Sequence, residues 1–105
     1  MIGNQISAQE LYDRMQTNMQ DAIVVDVRSP DEFKNGSIHG AINIPFDQIK
    51  KEKERLAPYT IIYLYCFSGS RSELAMIELQ DAVDATVYNL TGGVLAWKKS
   101  LFPLV

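Results

Sequence analysis

The chain has 105 residues, 47% of them hydrophobic and 22% charged, with a formal net charge of −3. That length predicts one domain over 1–105, with a core that needs neither disulfides nor a structural metal. The acidic balance and the lack of a basic tract give nucleic-acid binding no electrostatic support. No apolar stretch approaches the ~20 residues of a membrane span. The polar start, with no basic segment leading into an apolar one, predicts a cytoplasmic protein. One cysteine and one histidine rule out an internal disulfide and a zinc site.

The first predicted helix opens at Ser7, with Glu10 three residues on completing a capping box, and runs to about Asn18. A β-branched run without alternation, AIVVDV over 22–27, predicts a strand covered on both faces. Ser29, Pro30 and Glu32 then spell a second capping box for a short helix ending near Asn35 and Gly36. AINIP over 41–45 predicts a strand stopped by proline. Asp47 is placed as the cap of a helix running to about Arg55, with Ile49 and Leu56 turned inward.

TIIYLY over 60–65 is the strongest central strand. A helix over 71–81 follows, expected to bury Leu74, Ala75, Ile77 and Leu79. ATVYNL over 85–90 is the last strand; Gly92 and Gly93 turn the chain into a final helix over 94–100. The apolar tail LFPLV is expected to pack down. Strands alternating with helices predict an α/β fold with a parallel sheet and helices on both faces. Ligands in such folds bind outside the carboxyl ends of the strands.

Cys66 stands at that end of the strongest strand, followed by the loop Phe67, Ser68, Gly69, Ser70, Arg71, Ser72. A tight strand-to-helix loop turns backbone N–H groups inward and forms an anion-binding nest. Gly69 permits the backbone angle, and the small serines leave room. The following helix dipole adds roughly 0.3–1 kcal/mol per unit of negative charge. Arg71 contributes a planar cation suited to oxyanions. A thiol at the mouth of that nest ionises below the usual ~8.5, with no histidine or acid needed as base. An inert buried thiol is the bland alternative, but it needs neither the small-residue cradle nor the arginine.

Three segments, VVDVRSPDEFKNGSIHGAINIP (24–45), CFSGSRS (66–72) and VYNLTGGVLAW (87–97), together resemble the single-domain rhodanese sulfurtransferase family in order and spacing. The resemblance covers roughly 7–103. It implies a rhodanese-like fold with a central parallel sheet of about five strands. It also implies that Cys66 accepts a sulfane sulfur, becomes a persulfide, and passes that sulfur to cyanide or a thiol. Residues 67–72 would wrap the sulfur, with Arg71 assisting the donor. No metal or organic cofactor is implied. The implied partners are a small sulfur-donor anion or persulfide-bearing protein and a thiol-bearing acceptor.

Asp26 is expected to anchor the adjoining loop. Arg28 resembles a family arginine that lies near the site or pairs with the acid at Glu32. Gly92 and Gly93 would form a wall beside the loop. Where the family often has a histidine and a proline, this chain has Ser37 and His39, a change read as one of local packing; His39 as a base is the minor alternative. The loop lacks a charge before Arg71, which weakens the case for thiosulfate itself.

Three rivals remain open. Cysteine phosphatases of this fold have five residues between Cys and Arg; here Phe67, Ser68, Gly69 and Ser70 make four, and no Asp stands in the loop as an acid. A non-catalytic rhodanese-like binding module would not need Cys66. A redox sensor would need a partner thiol, since the chain has no second cysteine.

Overall fold

The structure, a computed structural model, describes residues 4–105. Five parallel strands form one sheet: β1 (Asn4–Ile6), β2 (Ala22–Asp26), β3 (Ile42–Asn43), β4 (Ile61–Tyr65) and β5 (Thr86–Leu90), in the order β1-β5-β4-β2-β3. Four helices connect or follow them: α1 (Ala8–Thr17), α2 (Pro30–Lys34), α3 (Ser70–Gln80) and α4 (Gly93–Lys99). The expected α/β class, parallel sheet and strand number are therefore observed.

Strand alternation divides the core in two. Val25, Ile62, Leu64 and Cys66 pack on one face with Ala75, Met76 and Leu79 of α3 and with Ile49 and Leu56. Val24, Tyr63 and Tyr65 pack on the other with Leu11 of α1 and with Val94 and Trp97 of α4. Both capping boxes form: the Ser7 hydroxyl accepts from the Glu10 N–H, and the Ser29 hydroxyl from the Glu32 N–H. The second box matters for the site, because it fixes the side chain of Glu32.

The chain steps outward from β2 to β3, then returns to the sheet centre for β4 and continues to β5 on the far side. The direction of winding thus reverses between β2 and β4. Crevices in doubly wound sheets open at such a point. Asp26 and Tyr65 are register partners there, so the residues after each strand are brought side by side.

Three expectations are corrected. No continuous helix follows Asp47; the segment makes successive turns and one 3-10 turn, Lys53–Leu56. Ile49 and Leu56 are buried as expected, but the charged run between them has no apolar stripe for an α-helix to bury. On α3 the inward residues are Ser72, Ala75, Met76 and Leu79, while Leu74 is 59% exposed. Ser72 must face Cys66, and helical spacing from 72 selects 75, 76 and 79. Strand β1 was not anticipated: it has three residues, two of them polar and exposed.

The tail packs unevenly. Phe102 stacks on Tyr12 with ring centroids 4.1 Å apart, and the Trp97 indole N–H donates to the Pro103 carbonyl. Leu101 is turned to solvent. Val105 exchanges backbone hydrogen bonds in both directions with Ser37. That backbone pairing ties the tail to the turn before β3.

The two faces of α3 predict opposite outcomes for two truncations. Met76→Ala should cost about 2–5 kcal/mol through cavity formation. Leu74→Ala should stay within about 0.5 kcal/mol of the wild type. Urea unfolding midpoints of the two variants check the assignment.

Candidate active site

Cys66 is the next residue after β4, and strand parity directs its side chain to the same face as Ile62 and Leu64. That direction carries Sγ beneath the first turn of α3. The residue is fully buried. Its Sγ accepts the Gly69 N–H at 3.1 Å and the Ser72 N–H at 3.4 Å, and the Ser72 hydroxyl lies 3.4 Å away. Burial pushes the thiol up, but the side-chain and backbone hydrogen bonds of Ser72, joined by those of Gly69 and Ser68, outweigh it. The thiol is held below its ordinary value.

The other side of the loop is held by α4. The carbonyl oxygens of Cys66 and Phe67 accept from Val94 N–H at 2.9 Å and Leu95 N–H at 3.1 Å, in the first turn of α4. With the carbonyls drawn that way, the N–H groups of the same peptide units, on Phe67 and Ser68, are turned to the opposite side. The approach is so close that a Cβ on Gly93 would lie 2.3 Å from the Cys66 oxygen. Gly69 sits at φ +104, a conformation open to glycine, and lets the loop close around Sγ. Gly92 and Gly93 therefore wall the loop as expected.

Among the other loop residues, Phe67, Ser68 and Ser70 are exposed around the mouth. Arg71 is half-buried and makes two hydrogen bonds to Glu32, Nη1 to Oε1 at 3.0 Å and Nη2 to Oε2 at 3.2 Å. The hydrogen bonds from Arg71, with those from Ser29, lower the Glu32 carboxyl from an ordinary 4.5 to about 2, against burial. Arg71 is raised reciprocally by Glu32.

Arg28 does not pair with Glu32. Its guanidinium lies under the β2 exit against Asp26, at 2.7–3.0 Å, and donates to the Gly36 carbonyl. Asp26 also accepts the Arg28 backbone N–H at 2.9 Å. Both residues are buried, and neither touches Sγ. The reason for the different pairing is reach: the Asp26 carboxylate stands two residues before Arg28, while Glu32 faces across the β2–β4 crevice from the first turn of α2. His39 is exposed and borders a different cavity, with Met15 and Met19.

Two features of the site were not identified from sequence. Glu32 was visible as a capping residue and as a partner for Arg28, but nothing in the sequence assigned it to Arg71. Asn89 is buried in β5; its Oδ1 is in hydrogen-bond contact with the Ser72 hydroxyl, which also borders Sγ, and its Nδ2 donates to Gln5 Oε1. A polar residue between Tyr88 and Leu90 of a core strand was the available signal, because buried amides need partners.

Comparison with known proteins follows the same lines. A rhodanese-like domain model matches residues 7–100, and the chain belongs to that family. It is 31% identical to a protein of Allochromatium vinosum named sulfurtransferase, over 97% of this chain and 94% of that one. It is 41% identical to an uncharacterised protein of Bacillus subtilis over 72% of this chain, and spans 60% of that relative's length. Among solved structures, a rhodanese-related protein from Thermoplasma volcanium superposes with TM-score 0.85 at 28% identity, over 97% of each chain. A Rhodopseudomonas palustris protein of unknown function, described as a possible tyrosine phosphatase, shares the fold with TM-score 0.88 at 21% identity, over 98% and 85%. Family and relatives support a sulfurtransferase-type enzyme at family level.

Two outcomes follow from this geometry. Gly93→Ala should destabilise the protein by more than about 2 kcal/mol, because the new methyl meets backbone at a strained angle. Thermal melting and the alkylation rate of Cys66 should both register it. The Glu32–Arg71 pair gives a pH signature with a defined sign. The folded-state carboxyl lies below its unfolded value, so its stabilisation is full above about 4.5 and is lost as pH falls through about 2. The urea-midpoint difference between wild type and Glu32→Gln should therefore be constant near neutrality and vanish toward pH 2.

Proposed function

We propose that the protein is a sulfurtransferase that carries a sulfane sulfur on Cys66. The carrying observation is the convergence of the Gly69 and Ser72 N–H groups on Sγ at 3.1 and 3.4 Å, at the start of α3. This arrangement stabilises a thiolate, and then the terminal sulfur of a persulfide, without a proton-accepting side chain. Two half-reactions account for the chemistry. The Cys66 thiolate attacks the outer sulfur of a donor such as thiosulfate; the new S–S bond forms as the donor's own bond to that sulfur breaks, and sulfite leaves with the electron pair. A thiolate or cyanide acceptor then takes the outer sulfur from the persulfide and returns the Cys66 thiolate. No oxidant, metal or organic cofactor enters either step.

The site residues divide by task in this reading. Cys66 is the nucleophile and carrier. The amides from Phe67 to Ser72 form the cradle, and Arg71 flanks the donor's approach with its charge shared by Glu32. Asp26 and Arg28 brace the β2 exit beside the loop. Partners are a sulfur donor, small or protein-borne, and a thiol-bearing acceptor. A reducing cytoplasmic setting suits a chain whose single thiol does the work. Among the described residues no helix is long and apolar enough to cross a membrane.

The four residues between Cys66 and Arg71 favour this reading over phosphate-ester hydrolysis. The Sγ-facing space is closed by Gly69 and Ser72 at hydrogen-bond distance, a fit for one added sulfur atom in preference to a tetrahedral phosphate.

Intact-mass spectrometry tests the proposal. Wild-type protein exposed to thiosulfate or to an organic persulfide should gain one sulfur atom, removable by cyanide, and Cys66→Ser should gain none. Absence of the adduct with every donor, or its persistence in Cys66→Ser, would overturn it.

A further inference from the structure

The cations that stand near Cys66 are already neutralised. Arg28 is covered by Asp26 and the Gly36 carbonyl. Arg71 gives two hydrogen bonds to Glu32, which is itself fixed by the Ser29 N–H and hydroxyl, so the carboxylate does not swing aside freely. Two cavities flank the loop. One, of about 430 Å3, is lined by Val27, Pro30, Pro45, Phe46, Asp47 and Arg71. The other, of about 310 Å3, is lined by Gln5, Ser70, Glu73 and Asn89 among others.

Neither cavity presents net positive charge. The first sets Arg71 against both Glu32 and Asp47; the second carries Glu73. An inorganic dianion in the first must compete with a pre-positioned carboxylate for Arg71, and in the second it meets the Glu73 carboxylate beside the loop. The first cavity is instead apolar around Phe46, which is 39% exposed, with the exposed ring of Phe67 in the neighbouring loop.

We infer that Glu32 determines donor specificity: by neutralising Arg71 it turns the mouth away from inorganic dianions and toward a singly charged sulfane sulfur carried on an apolar body that lies against Phe46, Pro45 and Pro30. This deepens the sulfur-transfer reading and rests on it. The natural donor class is an organic persulfide. The transfer balances without a co-reactant: the thiolate bonds to the donor's terminal sulfur, the donor's S–S bond breaks, and an organic thiolate leaves with the pair. One negative charge enters and one leaves besides that of Cys66, whereas thiosulfate brings two.

The experiment compares thiosulfate with benzenethiosulfonate, which has the same sulfane-sulfur connectivity but one charge and an aromatic body. Single-turnover loading of Cys66 is followed by intact mass on the full chain. The ratio of second-order rate constants, benzenethiosulfonate over thiosulfate, is taken for each variant, so intrinsic donor reactivity cancels between proteins. Glu32→Gln keeps a residue that serves a capping box but frees the charge of Arg71. It should lower the ratio about tenfold by accelerating thiosulfate, and added salt should reverse the gain. Phe46→Ala, with its folding checked by urea unfolding, should lower the ratio several-fold by slowing benzenethiosulfonate.

Loading with an unchanged ratio in both variants would overturn this inference and leave sulfur transfer standing. A ratio that rises in Glu32→Gln would also overturn it. No loading of the wild type by either donor would remove the sulfur-transfer reading and this inference together.

Discussion

The hydrogen bonds from the Val94 and Leu95 N–H groups to the Cys66 and Phe67 carbonyl oxygens fix how the active-site loop leaves β4. A strand ending in a free loop can orient its peptide planes either way. Here α4 captures the carbonyls of Cys66 and Phe67, so the N–H groups sharing those peptide units, on Phe67 and Ser68, are turned away from α4. The cradle therefore depends on a helix that never touches the sulfur. It also depends on Gly93, since any side chain at that position would separate the two backbones. The thiolate gains from this arrangement what a general base would otherwise supply, and gains it permanently, because the donors are part of the chain's own fold.

How much of this can be read from sequence depends on whether the information is local. The capping boxes at Ser7 and Ser29 are local, and both form. The 61–65 strand is announced by its own composition, and the thiol by its place after that strand. The apolar face of α3 was misread at Leu74 because apolar residues occur all around that helix. Only the requirement that Ser72 meet Cys66 fixes its rotation. Strand β1 was missed for a related reason: Asn4 and Gln5 are polar, and the strand exists because β5 offers it an edge.

The pairing of the arginines was the least legible feature. Arg28, Glu32 and Arg71 permit more than one match on paper, and charge alone does not choose among them. The choice is made by topology. Winding reverses between β2 and β4, so residues following β2 face the loop following β4 across a narrow crevice. Glu32, fixed at the third position of α2, reaches across it to Arg71; Arg28, closer to the strand, finds Asp26 underneath. A cap that began as a helix-start signal thus becomes an electrostatic element of the site.

Polar contacts extend from Cys66 to the sheet edge through Ser72, Asn89 and Gln5, and from Gln5 to Glu73 on the surface of α3. Its members come from the β4 exit, α3, β5 and β1, so the network closes only when β1 has docked on β5 and α3 has packed on the sheet. Asn89 is buried and could not be tolerated unpaired, since an orphaned buried amide costs about 1–3 kcal/mol. Its two bonds therefore tie the hydroxyl beside the sulfur to the strand that sequence patterning did not reveal. The reactive end of the molecule therefore depends on several elements at once: β1, β5, α3 and the exit of β4 must all be in place for the hydroxyl beside the sulfur to be held.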